Sequence, residues 1–139
     1  MTQLVDDHLL GAILRGEAPP QRRTPVFTTG HWYVRLCQAV LRAAGRTGML
    51  SAPFTALPPD ARERALRALL ELPDSVGLLS LRELGPVIGQ QRRRHDLNIL
   101  ASEALAAATV LGADVYLSAD SPRLEAALRA EGLHVTVLH

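Results

Sequence analysis

A chain of 139 residues has the length of one domain, and 47% hydrophobic with 21% charged residues is a globular balance. No stretch approaches the roughly 18 uninterrupted apolar residues of a membrane span. The net charge of +1 gives no global field for nucleic acid, and the single cysteine, Cys37, excludes an intrachain disulfide and a cysteine-built zinc cage.

In chain order, the opening MTQLVDDHLL places two aspartates where a secretory signal needs a basic and then an apolar region, so a soluble, cytoplasmic protein is expected. Gln3 to Asp6 is predicted to form a short strand, and Leu9, Leu10, Ile13 and Leu14 give a helical stripe that stops at Gly16. After the loop-like GEAPPQRRTP, Pro25 to Thr29 resembles a second strand. A helix follows over HWYVRLCQAVLRAA, where Trp32, Tyr33, Leu36, Cys37, Val40, Leu41 and Ala44 recur at helical spacing and Gly45 is placed to end it. SAPFTALPPD reads as a connection leading to Asp60 as N-cap, with a helix from Arg62 to Glu71 closed by Pro73. Val76 to Ser80 fits a buried strand, LRELGPVIGQQRRRH an interrupted helix around Pro86, and Ile99 to Leu111 an alanine-rich helix. The end alternates again: strand Asp114 to Ser118, helix Pro122 to Ala130 with Ser121 as cap, strand Leu133 to Leu138.

Strands apolar on both faces and separated by helices predict one domain over residues 1–139, a three-layer α/β/α sandwich around a mostly parallel sheet of about five strands. Ligands of such sheets collect at the carboxyl ends of the strands. Asp6 ends the first strand and Asp120 follows the fourth, so the two are expected at one sheet edge with carboxylates within roughly 10 Å. Converging carboxylates repel, and they are tolerated by a raised pKa or by a hard divalent cation that can activate water against a phosphodiester. Each aspartate taken alone also suits a helix cap.

The opening QLVDDHLL, the second strand and helix, and LNILASEALAAATVLGADVYLSADSPRLEAALRAEGLHVTVL together resemble the PIN-domain nucleases, which include toxins of bacterial toxin–antitoxin pairs. The resemblance is one of pattern: an acid closing the first strand, a small-residue helix, LGA, a strand, and the step Ser118-Ala119-Asp120. It implies a Mg²⁺- or Mn²⁺-dependent ribonuclease. Asp6, Glu103 and Asp120 are then the catalytic and metal-binding acids, RNA is the substrate, and an antitoxin-like protein or a second copy of the chain is a partner. Counting back from Leu111-Gly112-Ala113 in the family's commonest spacing lands on Ala101, so Glu103 requires a shift of two residues. Tyr33 or Val34 stands where the family has a glutamate in the second helix, and Arg123 where a further acid often follows Asp120.

His31 is a second candidate ligand at a helix start, though imidazole suits Mg²⁺ less well than carboxylate. Asp7 and His8 could orient water or substrate, or serve only the helix N-terminus. Arg92, Arg93 and Arg94 form the basic run that would hold an RNA backbone, unless they are a solvated helix end. Trp32 and Tyr33 could stack bases, but their helical spacing favours the core. The alternative to a ribonuclease is a PIN-like module that kept the fold, lost catalysis and binds protein or RNA. A nucleotide-binding domain has less behind it, because no GxGxxG or P-loop follows a strand.

Overall fold

The computed structural model describes residues 1–42 and 48–139. Its elements run β1 (Gln3–Val5), α1 (Asp7–Leu14), β2 (Val26–Thr28), α2 (Gly30–Leu41), α3 (Ala52–Thr55), α4 (Pro59–Leu70), β3 (Val76–Leu78), α5 (Leu81–Gln91), α6 (Ile99–Leu111), β4 (Asp114–Leu117), α7 (Pro122–Ala130) and β5 (Val135–Val137). All five strands join one sheet in the order β3-β2-β1-β4-β5, and every pairing is parallel. Among the described residues no helix is long and apolar enough to cross a membrane.

Successive strand residues point to opposite faces, and both faces are covered. Leu4, Val115 and Leu117 join a core with α5, α6 and α7, while Val5, Val26 and Val76 join a second core with α1, α2, α3 and α4. This is the expected three-layer sandwich. The alanines of α6 let it lie close to the sheet: Ala104, Ala106, Ala107 and Ala108 are all buried. Gly112, at φ +60°, caps α6 in the left-handed region that a side chain disfavours. Gly77 faces Phe27 across the β2–β3 pair, and a Cβ at Gly77 would collide with the Phe27 ring.

Several boundaries differ from expectation for local reasons. The helix read from Arg62 starts at Pro59 with Pro58 as its N-cap, so Asp60 lies in the first turn, where an acid favours the dipole without capping. Pro86 sits inside a continuous α5 rather than interrupting it. SAPFTALPPD holds the short helix α3, whose Phe54 is buried against α1. Ser80 is not a strand residue but the N-cap of α5, accepting from the Arg82 N–H. Ser121 occupies the N-cap position of α7 without a side-chain bond; Glu125 instead accepts from the Ser121 N–H at 2.7 Å. Ala44 and Gly45, read as the end of the second helix, lie outside the described residues.

The chain builds outward from β1 through β2 to β3, then returns to place β4 on the other side of β1. The β1–β4 junction is therefore the topological switch point, where loops diverge and leave a crevice at the strands' carboxyl ends.

Candidate functional site

Asp6 leaves β1 at this crevice as the N-cap of α1, and its Oδ1 accepts from the Leu9 N–H at 3.0 Å. Its Oδ2 reaches across to the end of β4, accepting from the Ser118 N–H at 2.7 Å and from the Ser118 hydroxyl at 2.6 Å. A buried carboxylate with three short donors is strongly held, and here it fastens the two strands that flank the switch point. Ser118, read from the sequence only as part of the Ser-x-Asp step, is thus the partner that fixes Asp6.

Asp7, one residue on, is also buried. Its Oδ1 accepts from the His8 N–H at 2.8 Å, but its Oδ2 has no hydrogen bond. The nearest cation is Arg35 of α2, with Nη1 3.5 Å from that oxygen, an ion pair without hydrogen-bond alignment. Burial first, and then the Asp6 charge, push the Asp7 carboxyl above its ordinary range; Arg35 opposes this only in part.

Asp120 lines the same cleft, of about 240 Å³, as Asp6, Asp7, Arg35, Ala101 and Ser118. The two strand-end aspartates therefore meet at one cavity. Their situations differ: the Asp120 side chain is 74% exposed, and its partner is the His139 ring at 3.5 Å.

Glu103 is not at this cleft. It is fully buried on the side of α6 that meets the start of α2, where its carboxylate accepts from the His31 N–H at 2.9 Å and the Gly30 N–H at 3.3 Å. The His31 Nδ1 is 2.6 Å from the same carboxylate. Glu103 thus caps α2 from α6, alongside the N-cap Thr29, whose hydroxyl accepts from the Trp32 N–H at 3.1 Å. The helical turn explains the separation, since two residues along a helix are about 200° apart and Ala101 lines the cleft while Glu103 faces away. Trp32 lines the floor of the cleft but is only 3% exposed and packs in the core beside α6, while the Tyr33 hydroxyl donates to the Leu69 carbonyl at 2.6 Å on the other side of α2.

The cleft continues along α7. Asn98, Ala101 and Asp120 are shared with a hollow of about 560 Å³, which in turn shares Asp96, Leu97 and Arg123 with one of about 520 Å³ lined by Arg94 and His95. The shared lining joins them into one groove, with Asp6, Asp7 and Asp120 at the switch point and, at the far end, Arg123 beside Asp96, with Arg94 and His95 both paired to Glu131. Of the arginine run only Arg94 lines it, and Arg94 is paired with Glu131 at 2.9 Å; Arg92 and Arg93 project elsewhere at the end of α5. Arg123, overlooked in the sequence as a mere absence of acid, is the exposed arginine of the groove's middle.

No protein-family model and no curated protein matches the chain. The functional reading therefore rests on the chemistry of the groove.

The divalent cation that the sequence resemblance implies does not fit these groups. Both Asp6 oxygens are engaged by protein donors, Glu103 faces another layer, and the free Asp7 oxygen already has a guanidinium beside it. Among the described residues no group of three or more His, Cys, Asp or Glu side chains is gathered to hold a metal. A hard cation and Arg35 would compete for one oxygen.

Proposed function

We propose that this chain is a PIN-like RNA-binding module that has lost metal-dependent cleavage. The observation that carries the reading is on α6: the position facing the cleft is Ala101, and the helix's buried acid, Glu103, is consumed in capping α2. Binding is supported by the groove itself, where the exposed Arg123 can contact phosphate and the Asn98 amide nitrogen, its oxygen being used to cap α6, can donate to bases. The direct test measures single-stranded RNA binding by fluorescence anisotropy in EDTA and in Mn²⁺, with gels run on the same samples. Binding in EDTA with intact RNA in Mn²⁺ is expected.

A second reading, the Mg²⁺- or Mn²⁺-dependent ribonuclease of a toxin–antitoxin pair, is favoured by one fact: Asp6 and Asp120 do line a single cleft at the switch point. Cleavage in Mn²⁺ that disappears with Asp120→Ala would establish it and end the first reading.

A further inference from the structure

The Asp7 Oδ2 is an atom of the cleft whose chemistry the binding reading leaves unused. It belongs to a side chain about 95% buried, has no hydrogen-bond donor, and lines a cavity that it shares with Asp6 and Asp120. Burying an acceptor without a donor is costly, and placing it beside a second carboxylate adds repulsion. A counter-charge must come from somewhere, and α2 supplies it. Arg35 projects from the second turn of that helix to within 3.5 Å, with 55% of its own side chain still in solvent.

We infer that Arg35 is the resident cation of this cleft, a guanidinium that stands in for a divalent metal and keeps metal out. The inference rests on the reading of the chain as a non-cleaving module and adds the group responsible for it. A guanidinium cannot lower the pKa of a bound water as a divalent metal does, and it cannot be chelated away. The cleft would then hold the same charge at any metal concentration.

Removing Arg35 should open the cleft to metal. The wild type is expected to show no Mn²⁺-dependent rise in melting temperature, and Arg35→Ala a rise of about 5 °C at saturating Mn²⁺. Bound Mn²⁺, counted by its loss of free-ion EPR signal, should follow the same pattern, with affinity at least about tenfold above wild type. Arg35→Lys, which keeps the charge, should behave as wild type, and Asp7→Asn added to Arg35→Ala should abolish the gain. Should Arg35→Ala fail to fold, Arg35→Gln, similar in length and neutral, puts the same question. A neutral variant that folds and binds Mn²⁺ no better than the wild type overturns the inference while leaving the binding reading intact. Mn²⁺ binding by the wild type that is lost with Asp120→Ala overturns both.

Discussion

Asp6 and Asp120 each follow a parallel strand at the same crevice, yet their surroundings give them opposite work. Asp6 caps α1 and accepts twice from Ser118, so Asp6→Ala removes a helix cap and strands two donors at the β4 end. A loss of about 2 to 4 kcal/mol in urea unfolding is expected. Asp120 is mostly solvated and caps nothing, so Asp120→Ala should stay within about 0.5 kcal/mol of wild type in the same experiment. Asp7 adds a pH dependence. Its folded-state pKa is raised above the ordinary 3.8, so between the two values the folded protein binds more protons than the unfolded chain. Stability contributed by the protonated form is therefore lost as pH rises through that window, and the charged form is a burden at neutral pH. Asp7→Asn keeps an acceptor for the His8 N–H, and it should melt higher than wild type at neutral pH, the gap closing below the ordinary aspartate range. An equal gap at both ends would show that charge is not the cause.

At the scale of elements, α6 shows how the placement of a residue depends on helix rotation as well as on its position in sequence. Glu103 is the one charged residue of α6, and its residue type stands out in the sequence; what one dimension hides is rotation. Whether it or Ala101 faces the strand ends depends on a turn of about 200°, which only the packing of α6 against both α2 and the sheet decides. If Glu103 is a structural cap, Glu103→Ala should cost about 2 to 4 kcal/mol by leaving the Gly30 and His31 N–H groups without their acceptor. It should leave the response to Mn²⁺ unchanged, and a changed metal response would return Glu103 to the site. Other elements were legible because local chemistry decides them. Ile99–Leu111 and Pro122–Ala130 match the bounds expected from their composition and from Pro122 at the first helical position. Pro86 misleads because a proline in mid-helix is normally a break, whereas it lies on the exposed side of α5, whose buried Leu84 and Ile88 hold the helix through it.

The whole molecule presents a groove with a charge gradient, and that gradient separates a binding function from a cleaving one. The net charge of +1 gave no hint of it, because the acids of the switch point and the arginines near α7 cancel in any sum. A phosphate backbone laid along α7 would meet Arg123, which has no carboxylate partner among the described residues, and would approach Asp120 at the other end. Each lost phosphate contact should lower the slope of log K against log salt by about 0.7 for a single strand. Arg123→Ala is therefore expected to weaken RNA binding and reduce that slope by one such step, while Arg92→Ala, outside the groove, should do neither. Asp120 gives the sharper contrast. In a metal-dependent nuclease its carboxylate would hold the cation that bridges to phosphate, so its removal would weaken RNA binding in Mn²⁺. In a groove whose cation is Arg35, the Asp120 carboxylate only repels phosphate, so Asp120→Ala should tighten RNA binding, equally in EDTA and in Mn²⁺. Titrations of Arg123→Ala and Asp120→Ala, with Arg92→Ala as control, across a range of salt and with and without Mn²⁺, read both effects at once; weaker binding by Asp120→Ala confined to Mn²⁺ would defeat the binding-module reading.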